Sequence, residues 1–182
     1  MNTAALRRLL HAGSALVLLL TLFDSEVVLR LVLVGVAVVA VLADTLRIKV
    51  AAVRDWLVRV VPVFRSTESE TLCGATWLAV GYALASWAPV PAGAAGILVG
   101  ALADPAASWA GSLAKSEPGR KTWTGSAAAA IVAAAAIALL GIPLVAVVLG
   151  ALTAATLERW PGPFDDNLVV APGTALVVWL VL

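Results

Sequence analysis

The fold is decided by residues 126–157, SAAAAIVAAAAIALLGIPLVAVVLGALTAATL, because this stretch contains no charged side chain. As one helix it would be about 48 Å long at 1.5 Å per residue, whereas the hydrocarbon core of a bilayer is about 30 Å thick. Gly141 and Pro143 lie near its middle, and these residue types end helices. The sequence therefore predicts two antiparallel apolar helices, near 125–140 and 143–157, joined by a tight turn.

The rest of the chain has the same apolar character. It is 62% hydrophobic and 13% charged, with a mean hydropathy of +1.03, whereas a soluble domain is nearer half apolar and a quarter charged. We expect an integral membrane protein that forms one domain, 1–182. The single cysteine, Cys73, excludes an internal disulfide. Residues 9–23 resemble a signal-peptide core, but no small-residue cleavage site follows them, which favours a retained first helix.

Seven apolar segments approach the length of about 20 residues that a spanning helix needs. They lie near 8–23, 26–44, 70–88, 91–112, 125–140, 143–157 and 168–182. With the N-terminus in the cytoplasm, the cytoplasmic segments are 1–8, 45–69, 113–124 and 158–167. These segments hold all of the 12 Lys and Arg residues except Arg30, as the positive-inside rule requires. The predicted fold class is an all-α polytopic membrane helix bundle of about seven transmembrane helices.

Residues 46–63 alternate apolar and basic side chains. This pattern predicts one amphipathic helix lying in the cytoplasmic interface, although a helix that packs on the ends of its neighbours would have the same pattern. The seven tryptophans are expected mainly as anchors at the membrane interface. A nucleobase stacked on Trp123 is the alternative for that residue.

Two polar clusters interrupt the apolar sequence, and both fall on the side that we assign to the cytoplasm. The first is DPAASWAGSLAKSEPGRKTWTGS, residues 104–126, and the second is ERWPGPFDDN, residues 158–167. Charge at or near the hydrocarbon is costly, so such clusters indicate function. Carboxylates with an amide suit Mg²⁺, and basic residues beside Gly and Ser at a helix start suit phosphate. The clusters therefore predict a metal and phosphate site at one membrane face.

The candidate residues fall into three groups by their chemistry. The candidate metal ligands are Asp104, Glu158, Asp166 and Asn167. The candidate phosphate-binding residues are Lys115, Arg120, Lys121, Thr122, Gly125 and Ser126, with the N–H groups near Gly125 and Ser126 free at a helix start. The candidates to orient a proton are Asp104, Glu70 and His11, among which the sequence does not choose. Structural roles stay open for several of them, since Asp104 could pair with a lysine and Asp166 or Asn167 could cap the last helix.

Several common site types are excluded by what the sequence lacks. There is no GxxxxGK[ST] motif of a P-loop, and no Cys and His cluster for zinc. The chain has one histidine and no suitable serine elbow, which disfavours a Ser-His-Asp triad.

The order of these residues resembles the CTP-dependent polyprenol kinase group, which comprises dolichol kinase, phytol kinase and CTP-dependent diacylglycerol kinase and is related in pattern to phosphatidate cytidylyltransferases. The resemblance covers nearly the whole chain. It is carried by Arg7-Arg8-Leu9-Leu10-His11, Glu70-Thr71-Leu72-Cys73-Gly74, Asp104-Pro105-Ala106-Ala107 with Gly111, the box from Lys121 to Ser126, and Glu158 with Asp166-Asn167. Two departures are Ala103, where the family usually has Gly, and Pro172, which is slightly displaced.

The resemblance implies a membrane lipid-alcohol kinase with a cytoplasmic active site. It would transfer the γ-phosphoryl group of CTP to the hydroxyl of a polyprenol, another isoprenoid alcohol or diacylglycerol, with Mg²⁺ as cofactor and Lys121 neutralising charge. A cytidylyltransferase that makes a CDP-activated lipid is the alternative. A small transporter predicts polar residues near the bilayer midplane and repeated broken helices, which this sequence does not have. The sequence indicates no nucleic-acid partner and no particular oligomer.

Overall fold

The computed structural model describes residues 3–22, 26–60, 68–114 and 120–182, with side chains not described at 20–22 and 58. These residues form helices and no strand, so the all-α prediction is confirmed. Helix α1 (Thr3–Gly13) continues into a 3₁₀ helix (Ser14–Leu22). The other helices are α2 (Glu26–Lys49), α3 (Ala51–Val60), α4 (Gly74–Ala85), α5 (Ala92–Leu113), α6 (Trp123–Ala138), α7 (Leu144–Arg159) and α8 (Asp166–Val181).

Helix α5 lies at the centre of the bundle, where it packs against α6 and α8, and α7 packs against both of those helices. Small residues allow this close approach. A Cβ added at Gly96 would lie 2.3 Å from the carbonyl oxygen of Ala171 in α8, and one added at Gly125 would lie 2.9 Å from that of Ala107 in α5. Alanines fill most of the remaining core. The resulting tight bundle brings the ends of α6, α7 and α8 to the middle of α5.

The predicted break in the uncharged run is confirmed. Helix α6 ends at Ala138, α7 begins at Leu144, and the two helices pack against each other. Gly141 adopts a φ of 71°, a left-handed conformation that glycine takes without a steric penalty. Pro143 is the N-cap residue of α7, where its missing N–H costs no helical hydrogen bond.

The N-terminal elements differ from the prediction. The expected helix at 8–23 is instead α1, which begins at Thr3, followed by the 3₁₀ helix. Ser14 lies at the junction, and its hydroxyl donates to the carbonyl oxygen of His11 at 2.5 Å and lies 2.7 Å from the Tyr82 hydroxyl. A side chain that bonds the preceding turn in this way competes with the regular helical ladder.

The predicted interfacial helix at 46–63 is wrong in its bounds. Helix α2 continues to Lys49, and α3, which packs against α2, covers Ala51–Val60; residues 61–67 lie outside the described residues. Arg47 is not an interfacial side chain but is 2% exposed. The reason is that the Asp44 carboxylate on the same helix accepts from its Nε at 2.5 Å. A buried guanidinium needs such a partner.

Within the described residues, α2 is the helix that is long and apolar enough to cross a membrane. Helices α4, α6 and α8 are apolar but have 12 to 16 residues. Large apolar side chains are exposed around the bundle, for example Leu31, Ile131, Leu144 and Leu180. The seven-span topology thus stays a prediction, while the helical bundle itself is established.

Candidate active site

Four of the predicted site residues meet where the ends of three helices approach the middle of α5. Asp104, Glu158 and Asp166 each place one carboxylate oxygen within 4.8 Å of the other two. The Lys121 ammonium donates to Glu158 Oε1 at 2.5 Å and to Asp166 Oδ2. These side chains come from α5, the residue preceding the N-cap of α6, the end of α7 and the start of α8. Residues far apart in the sequence therefore form one acidic cluster with one ammonium beside it.

Glu158 carries negative charge into the interior of the bundle. Glu158 is only 3% exposed, and its Oε2 atom is buried with no hydrogen-bond partner among the described residues. An unpaired buried oxygen of this kind costs free energy, so the site favours a cation. Burial by itself lowers the pKa of Lys121, but Asp166 and Glu158 together raise that pKa above its ordinary value. Lys121 is therefore an ammonium at neutral pH.

The three carboxylates fit a hard divalent cation. If three oxygens are at most 4.8 Å apart, some point lies within about 2.8 Å of all of them, compared with about 2.1 Å for a Mg²⁺–oxygen bond. A small inward movement, or a bridging water, is enough to complete coordination. Lys121 already occupies the space between Glu158 and Asp166. A divalent cation and this ammonium would compete for the same two oxygens.

His11 joins α1 to the cluster. Its Nδ1 lies 3.3 Å from Asp104 Oδ2, and its Nε2 lies 2.9 Å from the carbonyl oxygen of Gly100. Both contacts are to acceptor atoms, whereas a neutral imidazole has one N–H to donate. The ring can donate to both only after it takes up a second proton. Among the described residues, Asp104 therefore pairs with His11, and no ion pair joins it to Lys121.

Asn167 and Glu68 line the side of the site formed by the start of α4. Asn167 Nδ2 donates to Asp165 Oδ1 at 2.8 Å, while Asn167 Oδ1 is buried and has no partner among the residues described. Glu68 Oε1 accepts from the Gly74 N–H at 3.2 Å and lies 3.6 Å from Arg7 Nη2. Both side chains line the cleft described below.

Glu70, the glutamate that the resemblance favours, does not take this place. It is exposed and lies outside the cleft lining, whereas Glu68 is buried within it. The reason is the buried pair on α2. Arg47 donates to the carbonyl oxygens of Glu68 and Thr71, both at 2.8 Å, and Asp44 Oδ2 accepts from the Cys73 N–H at 2.6 Å. This network fixes the segment before α4 and turns Glu68 inward; the sequence pattern did not indicate it.

The start of α6 corrects another expectation. The Gly125 N–H donates to Thr122 Oγ1 and the Ser126 N–H donates to the Thr122 carbonyl oxygen, both at 3.0 Å. These N–H groups are therefore bonded within the helix cap and are not free for phosphate. Thr122 is the N-cap residue, which leaves the first-turn N–H groups of Trp123 and Thr124 without an intrahelical acceptor. Arg120 is exposed, and Lys115 lies outside the described residues.

Arg159 holds the ends of α6 and α7 together. Its guanidinium carbon lies 3.8 Å from the centre of the Trp123 ring and 5.1 Å from that of Trp160. The two rings meet edge to face, with centroids 5.8 Å apart. Stacking of this kind is favourable for a guanidinium. From the sequence, Arg159 is one more basic residue of a cytoplasmic segment; in the structure it joins the end of α7 to Trp123 at the start of α6.

A cleft of about 900 Å³ opens beside the cluster. Its polar lining includes Arg7, Arg8, His11, Glu68, Asp104 and Asn167. Its apolar lining includes Leu10, Val17, Leu33, Val36, Leu78 and Ala79. The hydroxyls of half-buried Ser14 and buried Tyr82, which bond to each other, also face it. The cleft can therefore take a molecule that is polar at one end and apolar at the other.

No family model, curated protein or solved structure matches this chain. What the site can do chemically is therefore inferred from its side chains alone. Three carboxylates can hold a divalent cation, an ammonium can neutralise a phosphate, and a histidine paired with a carboxylate can take up a proton.

Proposed function

We propose that the protein is a membrane lipid-alcohol kinase, which transfers the γ-phosphoryl group of a nucleoside triphosphate to the hydroxyl of a lipid. The observation that carries the proposal is the cluster of Asp104, Glu158 and Asp166, whose carboxylate oxygens lie within 4.8 Å of one another beside Lys121. Asp104 also contacts His11, and both residues line the amphiphilic cleft. Phosphoryl transfer needs mainly positioning and charge neutralisation, and these groups supply both. The resemblance of the sequence to the polyprenol kinase group supports CTP as the donor.

The acidic cluster is the metal site in this proposal. Asp104, Glu158 and Asp166 would hold Mg²⁺, which when bound neutralises charge on the phosphate oxygens. With a cation held there, Lys121 would release its two carboxylates, and its ammonium would be available to a phosphate oxygen. The Glu158 carboxylate would then have a positive partner both with and without the metal, as a buried charge requires.

His11 is placed to receive the proton of the lipid hydroxyl. When its Nε2–H donates to the Gly100 carbonyl oxygen, its Nδ1 carries a lone pair beside Asp104 Oδ2. A proton taken at Nδ1 turns that contact into an ion pair. The hydroxyl oxygen forms a bond to the γ-phosphorus, the bridging oxygen leaves with the nucleoside diphosphate, and the proton stays on His11. This balance makes His11 the better general base, with Asp104 stabilising its charged form.

The proposal includes a polytopic arrangement with the N-terminus and the active site on the cytoplasmic side. The distribution of Lys and Arg along the chain supports it. So do the exposed apolar side chains on the outer surfaces of α2, α6 and α7, because a bundle in water rarely exposes so many. Nucleotide would enter from the cytoplasm and the lipid from the bilayer.

The direct test is a transfer assay with purified protein. Protein in lipid nanodiscs is incubated with γ-labelled CTP, ATP or GTP and a panel of lipid alcohols, with and without EDTA. We expect label in a lipid monophosphate, lost with EDTA and reduced by orders of magnitude in Asp104→Asn. The matched control is Asp55→Asn, since Asp55 is an exposed carboxylate on α3. No transfer to any alcohol by folded protein, or equal loss in both variants, would overturn the proposal.

A further inference from the structure

The lining of the cleft changes from polar to apolar along the N-terminal segment, and the residues that α2 and α4 contribute fit the same direction. On the N-terminal segment, Arg7 and His11 precede Val17; on α4, Gly74 precedes Leu78. Helix α2 runs the other way, and its cleft residues Leu33 and Val36 lie two to three turns before the buried Asp44. The polar residues therefore gather at one end of the cleft and the aliphatic residues at the other.

The apolar end is open to the outer surface of the bundle. Val36 is 51% exposed and lines both this cleft and a shallow apolar groove along the outside of α2. The other residues of that groove are Leu31, Val32, Gly35, Val39, Ala40 and Ala43. Helix α1 packs against α5, whereas α2 packs against α4 and the 3₁₀ helix. The mouth of the cleft thus lies on the α2 side, away from the acidic cluster.

The two ends of the cleft require different parts of one ligand. At the polar end Glu68 is buried, and His11 Nδ1 lies 3.3 Å from Asp104 Oδ2. At the boundary the Ser14 and Tyr82 hydroxyls lie 2.7 Å apart and bond to each other. Beyond them the lining is aliphatic, which favours a hydrocarbon chain. A volume of about 900 Å³ is within the range of small-molecule sites, roughly 300 to 1,000 Å³.

We infer that the cleft binds the hydrocarbon chain of a long-chain alcohol, which enters sideways past Val36 and places its hydroxyl beside His11 and Asp104. The chain lies between the 3₁₀ helix, α2 and α4, against Val17, Leu33 and Leu78. That the polar end of the ligand is a hydroxyl rests on the proposed function, but binding of the hydrocarbon chain does not depend on phosphoryl transfer. An isoprenoid alcohol and a diacylglycerol share this chemistry.

Two valines on α2 provide a matched test. Val36 and Val38 are 51% and 52% exposed, but Val36 lines the cleft and Val38 does not. Binding of a farnesol-length alcohol with a photoreactive diazirine in its tail is measured without nucleotide. We expect Val36→Trp to bind the probe roughly tenfold more weakly, because an overfilled site is costly, and Val38→Trp to bind it as the wild type does. Crosslinks in the wild type should fall on the 3₁₀ helix, α2 and α4.

Equal affinities in the two variants, or crosslinks confined to the outer face of α2, would overturn the inference. Displacement of the probe by an isoprenoid alcohol or by a diacylglycerol supports it and identifies the source of the chain, whereas displacement by neither contradicts it. Phosphoryl transfer by the wild type separates this inference from the proposed function. A wild type that phosphorylates a long-chain alcohol, together with equal probe binding by both variants, would keep its function and lose this chain site.

Discussion

Replacing Lys121 by methionine should make the metal site tighter and the enzyme slower. In the metal-free protein the Lys121 ammonium is the counterion of Glu158 and Asp166. Breaking a fully buried ion pair costs about 3 to 5 kcal/mol, but the Lys121 side chain is 37% exposed, which lowers the expected loss of stability to about 2 kcal/mol. A divalent cation no longer has to displace an ammonium, so we expect its Kd to fall roughly tenfold.

The assay is thermal unfolding in detergent over a titration of Mg²⁺ and Mn²⁺. Added metal should raise the midpoint of Lys121→Met more than that of the wild type, since binding to the native state stabilises it by mass action. Lys121→Arg keeps a charge in place and should bind metal nearly as the wild type does. Lys49→Met, at the exposed end of α2, is the control for loss of a lysine elsewhere.

The same variant has a defined pH dependence and a defined defect in activity. Asp166 and Glu158 raise the pKa of Lys121 above its ordinary value, despite burial. Its stabilising effect is therefore fully present below the ordinary lysine pKa of about 10.4 and is lost only as the pH rises through the higher folded-state pKa. The stability difference between the wild type and Lys121→Met should therefore be constant from about pH 6 to 9.

We expect kcat/KM of Lys121→Met for the nucleotide to fall at least roughly 100-fold. Unchanged or weaker metal affinity in Lys121→Met would refute competition for the two carboxylates.

Three further predictions follow from the site and the topology. Asp166→Asn should lower kcat by orders of magnitude with the fold intact, and activity within about threefold of the wild type would remove Asp166 from the site. Single cysteines at positions 121 and 160 should react with an impermeant maleimide from the same side of sealed vesicles, and labelling from opposite sides would refute the topology. Glu68→Gln should reduce kcat/KM roughly tenfold through loss of the contact with Arg7, while Glu70→Gln stays near the wild type. A larger loss of kcat/KM in Glu70→Gln than in Glu68→Gln would instead place Glu70 in the site.

Much of the helical bundle could be predicted because its determinants are local. A run without charge that is too long for one span, with Gly141 and Pro143 in it, specifies a reversal wherever it occurs. Asp104 and Lys121 approach the last polar cluster, as the sequence analysis expected for residues on one membrane face. The topology behind that expectation stays a prediction.

The details that failed depend on tertiary partners. Arg47 has the sequence context of an interfacial anchor and becomes a buried structural residue because Asp44 lies one turn away and the segment before α4 supplies carbonyl oxygens. That network in turn selects Glu68 over Glu70. The N–H groups of Gly125 and Ser126 were expected to be free, but capping by the preceding threonine was the competing use of the same sequence.

The proposed transfer of a γ-phosphoryl group to a lipid hydroxyl can be distinguished from cytidylyl transfer by the position of the label. Two samples of CTP, one labelled at the γ-phosphorus and the other at the α-phosphorus, are each incubated with purified protein, Mg²⁺ and the lipid alcohols. We expect label in a lipid monophosphate from the γ-labelled sample alone, with CDP released in equal amount. Label in the lipid from the α-labelled sample, with release of pyrophosphate, would contradict it and assign cytidylyl transfer to the site instead.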